Sequence, residues 1–152
     1  MSLDSVREYF AAHAPEAAIL VTEASSATVE LAAQAHGVDA DQIAKTICLR
    51  AGDTILLVVT AGTKRLDNRK FRDRFSAKPR MLSADEVVAA TSHPIGGVCP
   101  FGLPSPLPVY CDISLKAYAE VVPAAGATNA AVRIAPDRLV ELTGAEWVDV
   151  CQ

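Results

Sequence analysis

The sequence lacks any long apolar run. Its longest uninterrupted aliphatic stretches, Ala17 to Val21 and Ile55 to Val59, are short against the ~20 residues that a membrane helix needs. The N-terminus reaches Asp4, Arg7 and Glu8 at once, so the apolar core of a secretory signal is missing too. A soluble, cytoplasmic protein with no membrane partner is therefore expected. Cysteine is sparse and unpatterned. Cys48, Cys99, Cys111 and Cys151 form no C-x-x-C pair, and only three histidines are scattered through the chain. These spacings support neither a zinc site nor a disulfide framework, so no metal or cofactor is expected. Buried thiols in a reducing compartment account for the cysteines. Cys99 has no base near it in the sequence, and a reactive thiol needs one. Internal repeats, low-complexity tracts and linkers are also missing.

What is there is one domain. A chain of 152 residues, 51% of them apolar, is large enough to bury a core. Leu3, Val6 and Phe10 recur at helical spacing and predict an amphipathic helix over Leu3–Ala14. Ala17–Thr22 reads as a short strand. Ala27–His36 is again helical, with Ser26 placed to cap it and Gly37 to stop it. Asp39–Gln42 starts a brief turn or helix before a strand over Ala44–Arg50. Gly52-Asp53 then turns the chain into Thr54–Thr60, which is apolar on both faces and so central. Phe71 and Phe75, four apart, face the core from a short helix, with Lys70, Arg72 and Arg74 flanking the seam and Arg69 pointing away. Ser83-Ala84-Asp85-Glu86 is a capping box for a helix over Ala84–Ala90. Further strands are expected near Val109–Cys111, Ala119–Val122, Ala131–Ile134 and Glu146–Val150, with a helix from Pro136 to Gly144. The mixture predicts a single compact α/β domain over residues 1–152, with a mixed or largely antiparallel sheet.

Three features carry chemistry. Thr91 to Pro108 holds five of the nine prolines and three of the eight glycines. Prolines fix φ, and glycines allow φ values that side chains forbid, so this is one rigid, irregular loop. Backbone N–H groups in such a loop can hold a carbonyl, phosphate or ribose oxygen. An ordered surface connection would have the same composition. Second, the net charge of −4 hides an asymmetry. Between Lys64 and Arg80, eight basic residues face only Asp67 and Asp73, so the segment carries +6 and the remainder −10. That pattern suits a polyanionic partner met on one face, or a solvated helix with salt bridges to acidic neighbours. Third, strand alternation puts Lys45 on the face of Ile43, Ile47 and Leu49. An ammonium there must reach water, an acid or a ligand, either by snorkelling or by pointing into a pocket.

Gln42-Ile43-Ala44-Lys45-Thr46-Ile47, Lys64-Arg65-Leu66-Asp67 and Gly96-Gly97-Val98-Cys99-Pro100-Phe101-Gly102 occur in an order that resembles the YbaK/ProX family. These are free-standing aminoacyl-tRNA editing domains related to the insertion domain of bacterial prolyl-tRNA synthetases, and the likeness covers nearly the whole chain. It implies an α+β fold with a mixed, mostly antiparallel sheet wrapped by helices. It also implies hydrolysis of the ester between a mismatched small amino acid and its tRNA. Lys45 matches the family's functional lysine. Gly96, Gly97 and Pro100 match the G-x-x-x-P loop that approaches the terminal adenosine and the aminoacyl carbonyl. Phe101, His93, Thr28 and Asn129 are further candidates for the substrate pocket. A backbone-bonded loop histidine, a helix cap and a turn asparagine are the simpler accounts of the last three. Lys64, Arg65, Arg69, Lys70 and Arg72 are candidates to hold the acceptor-stem backbone. The implied partner is the tRNA acceptor end, with an aminoacyl-tRNA synthetase as a second candidate. No Ser-His-Asp triad or paired carboxylates stand out, so water is the expected nucleophile on an already activated ester. A non-catalytic RNA- or nucleotide-binding module, or a synthetase-interacting one, is the competing reading.

Overall fold

The computed structural model describes residues 2–152. Val6 and Phe10 lie on the buried side of α1 (Ser2–His13), which is followed by β1 (Ile19–Val21). In α2 (Val29–His36) the cap is Thr28 rather than Ser26. The Thr28 hydroxyl accepts the Leu31 N–H at 3.2 Å, a contact worth ~1 kcal/mol at a helix start. Ser26 instead donates to the Thr128 carbonyl at 3.2 Å. Gly37 closes the helix at φ 64, a backbone conformation that only glycine adopts without steric cost. A single 3-10 turn, Ala40–Gln42, leads into β2 (Ile43–Ala51), which the turn at Gly52-Asp53 returns as β3 (Thr54–Ala61). From Leu56 onward β3 is buried throughout, as expected of a strand covered on both faces.

The Asp67 carboxylate caps α3 (Asn68–Phe75) by accepting the N–H groups of Arg69 and Lys70. Phe71 is fully buried and stacks on Phe75 with ring centroids 4.5 Å apart. A two-residue strand that periodicity does not reveal, β4 (Arg80–Met81), precedes α4 (Ala84–Thr91) and its capping box. The remaining elements are β5 (Val109–Asp112), β6 (Val122–Pro123), β7 (Ala130–Val132), α5 (Pro136–Thr143) and β8 (Glu146–Val148). The strand expected over Ala119–Val122 is displaced to β6. Its upstream half, Ala119–Glu120, is a bend after a 3-10 segment over Ile113–Ala117, which the Asp112 carboxylate caps by accepting the Ser114 N–H at 2.9 Å.

The main sheet runs β4-β2-β3-β5-β8, with β6 also on the β2 edge; β1 and β7 form a separate antiparallel pair. The sheet is mixed. The β2–β3 hairpin and β2–β4 are antiparallel, whereas β2–β6, β3–β5 and β5–β8 are parallel. On one face α1, α5, Cys99 and Phe101 pack with Ala44, Cys48, Leu57 and Val59. On the other, Phe71 of α3 packs with Leu49, Leu56 and Val58. Ala32 of α2 covers Ile43, Val122 and Ala131 beside them. Among the described residues, no helix is long and apolar enough to cross a membrane.

Candidate functional site

The start of α2, the start of β2 and the loop over 95–98 enclose a pocket of about 210 Å3. Its walls are mostly aliphatic, with Ser26, Thr28, Lys45 and Thr46 as the polar lining. The loop is fixed by a turn in which the Gly97 N–H donates to the Pro94 carbonyl at 2.9 Å. Gly96, the third residue of that turn, has φ 88, the value that makes glycine the residue of choice there. A Cβ on Gly96 would lie 2.8 Å from the Ala27 Cβ, and one on Gly97 would lie 2.8 Å from the Ala127 backbone nitrogen. The Gly97 carbonyl accepts the Gly126 N–H at 3.1 Å, so close backbone contacts hold both sides of the turn. Among the described residues, the N–H groups of Gly96 and Val98 donate to no protein acceptor.

Of the residues proposed for the site from sequence, the structure brings Lys45, Gly96 and Thr28 to the pocket wall. The Lys45 ammonium is half-buried and donates to the Lys64 carbonyl. Burial lowers its pKa below the usual lysine value, and the nearby Arg65 charge acts in the same direction. Gly97, Pro100, Phe101, His93 and Asn129 are not in the lining, and each has a physical reason to be elsewhere. The Gly97 N–H is already spent on its turn. Pro100 and Phe101 are buried, the latter with its ring 4.7 Å from that of Phe10. His93 is fully buried, bonded through Nδ1 to the Ser2 hydroxyl and through Nε2 to the Phe101 carbonyl at 2.7 Å. These two bonds let it brace the loop from behind, and desolvation lowers its pKa. The Asn129 amide donates to the Thr22 carbonyl at 3.0 Å, tying β7 to the end of β1. The fold sets His93 Nε2 3.5 Å from the Cys99 sulfur, a base that the sequence did not put beside it, but burial pushes the thiol up to about 12, against a reactive thiolate.

The basic segment divides into spent and unspent charges. Lys70 pairs with Asp149 at 3.1 Å and donates to the Cys151 carbonyl, and Arg74 pairs with Glu146 at 2.7 Å. Arg65, Arg69 and Arg72 are exposed and, like Lys64, make no ion pair among the described residues. The chain end secures this segment beside Lys45, with the Asp67 N–H bonded to the Val150 carbonyl and the Gln152 N–H to the Arg65 carbonyl.

One pocket residue escapes a reading of the sequence. Thr46 lines the cavity, and its Oγ1 is buried without a hydrogen-bond partner. Alternation along β2 puts it on the opposite face from Lys45, but threonine is ordinary in a strand and gives no local signal.

Residues 23–142 match the family model described as the aminoacyl-tRNA editing domain. The chain is 46% identical to the uncharacterized protein YwhH of Bacillus subtilis (strain 168), covering 100% of this chain and 98% of that protein. It is 33% identical over 118 residues to the proline–tRNA ligase of Shouchella clausii (strain KSM-K16), covering 76% of this chain and only 21% of the ligase. A solved structure described as a proposed trans-editing enzyme for prolyl-tRNA synthetase superimposes with a TM-score of 0.92 at 32% identity, covering 99% of this chain and 97% of the other.

Proposed function

This chain belongs to the aminoacyl-tRNA editing domain family, and from that premise we propose that it is a trans-acting deacylase. It cleaves the ester of a small non-cognate amino acid on tRNA(Pro) or a related tRNA in the cytoplasm. One observation carries the reading: a small aliphatic pocket bordered by a rigid turn with two unspent N–H groups. The amino-acid side chain enters the pocket, and the N–H groups of Gly96 and Val98 face the ester or ribose oxygens. Fixed donors of this kind stabilise charge that develops on oxygen without reorganising during the reaction. The Lys45 ammonium has three donors and spends one on the Lys64 carbonyl, which leaves two for a phosphate or ribose oxygen at the rim. Water is the nucleophile, and a terminal ribose hydroxyl assists the proton transfer.

The test is a panel of tRNAs charged with cognate and mismatched amino acids, following ester loss with the wild type and Lys45→Ala. Selective hydrolysis that falls about 10²-fold in the variant is expected, the scale of losing a contact that holds the reacting ester in position. Salt-sensitive binding with no ester loss on any charged tRNA would instead leave a non-catalytic binding module.

The exposed arginines are assigned to the acceptor-stem backbone. Replacing both Arg69 and Arg72 with glutamine should weaken binding to all tRNAs alike and flatten the slope of log K against log salt by about 1.5–2. Lys70→Gln should change that slope much less, because Asp149 already neutralises Lys70. Titration of binding against ionic strength measures both.

A further inference from the structure

Deepening the deacylase reading, on which it rests, we propose that Ile95 is an apolar ledge that holds the base of the substrate's terminal nucleoside. Ile95 is the second residue of the turn closed by the Gly97 N–H and the Pro94 carbonyl, and it lines the pocket. Only two of the lining residues are exposed, Thr28 on the α2 side and Ile95 on the loop side, so these two stand at the lip. The Thr28 hydroxyl is engaged with the Leu31 N–H. Ile95 is 58% exposed and is the one large apolar side chain of the lining that is left in water. Single exposed aliphatic residues are ordinary on a protein surface. This one stands on the lip of an apolar pocket and next to an unspent donor, where a ligand seated in the pocket has to leave it.

The size of the pocket decides what Ile95 meets. A volume of about 210 Å3 lies below the roughly 300–1,000 Å3 of pockets that enclose drug-sized ligands. It takes an amino-acid side chain and leaves the nucleoside outside. With the ester held at the Gly96 and Val98 N–H groups, the ribose lies at the mouth and its base extends over the lip. Ile95 is bonded directly to Gly96, so its side chain stands one peptide unit from the first of those donors. A neutral base presents flat ring faces, and covering them with an apolar side chain removes apolar surface from water on both sides. The ledge is also stiff. A β-branched side chain has restricted χ1, and the turn beneath it is held by the Pro94 ring and the Gly97 hydrogen bond. Little freedom is lost when the base settles on it.

The experiment measures the affinity of one uncharged tRNA, with its complete CCA end and trimmed to CC, for the wild type, Ile95→Ser and Ile95→Leu. The wild type should bind the complete end more tightly. Ile95→Ser should weaken that complex about 3–10-fold, the scale of covering half an isoleucine side chain, and leave the trimmed complex unchanged. Ile95→Leu should keep most of the affinity, because the apolar volume is retained. The slope of log K against log salt should stay the same in both variants, since no phosphate contact is touched. On charged tRNA the loss should appear in KM at unchanged kcat, because a non-reacting base is held equally before and in the transition state. The melting temperature of Ile95→Ser should match the wild type, as most of the side chain is in water in the free protein. Equal weakening of the complete and trimmed complexes, no weakening of either, or a loss in kcat alone overturns the proposal. Absence of ester loss on every charged tRNA would count against the deacylase reading, while the comparison of complete and trimmed ends would still decide the role of Ile95.

Discussion

Phe101→Ala should destabilise the protein by about 3–5 kcal/mol, the range for deleting a buried aromatic ring, while leaving the KM of the folded fraction unchanged. Phe101 is fully buried. Its ring lies 4.7 Å from that of Phe10 and 5.9 Å from that of Tyr9, so it anchors the Gly/Pro loop to α1. For a chain of this size the loss corresponds to a drop in melting temperature of roughly 10 °C. Equilibrium urea unfolding gives the free energy, and deacylation well below the transition gives KM. Unchanged stability with a raised KM would return Phe101 to the substrate-binding set that its position in the motif suggests. Phe101→Leu should recover most of the loss, since a volume-conserving aliphatic swap usually costs less than ~1.5 kcal/mol.

The same residue illustrates what a sequence can and cannot tell. The Ser83 capping box, the Gly37 and Gly144 helix stops and the Gly52-Asp53 hairpin are fixed by interactions within a few residues, so local patterns reveal them. The direction of a loop side chain is set by partners far away in the chain. Ser2 holds His93 across 91 positions, and Asn129 reaches Thr22 across 107. A motif therefore locates the loop without saying which members face the ligand. Gly96 faces the pocket whereas Pro100 and Phe101 are turned into the protein. Lys45 is legible because an ammonium on an apolar strand face is anomalous in itself. Thr46, its neighbour, becomes anomalous only when the structure leaves its hydroxyl without a partner. The basic segment is legible as a charge excess. Its division into paired Lys70 and unpaired Arg69 and Arg72 depends on Asp149, which the fold brings to the opposite side of the Lys70 contact.

Gly96→Ala should lower deacylation by about 10²-fold, the loss expected when donors to a developing oxyanion are displaced, with a stability loss of only ~1–3 kcal/mol. Two effects act together. A residue with a Cβ is strained at φ 88, and the added carbon would lie 2.8 Å from the Ala27 Cβ. That crowding pushes the turn and the α2 side of the pocket apart, moving the Gly96 and Val98 N–H groups from their positions. The two effects separate in a double variant. Ala27→Gly removes the nearest atom that the new Cβ meets and leaves the Ala27 Cα and carbonyl oxygen at 3.1 Å, so in the Gly96→Ala background it should restore part of the rate, a coupling that a double-mutant cycle measures directly. Strain at φ 88 and the two backbone contacts remain, so recovery is incomplete. Gly97→Ala should not be rescued in this way, because its Cβ would meet the Ala127 backbone nitrogen, carbonyl carbon and Cα at 2.8–3.0 Å. Backbone atoms have no smaller side chain to substitute. If Gly96→Ala retains full activity, the turn is not the oxyanion device, and the rate enhancement has to come from Lys45 and the substrate's own ribose hydroxyl.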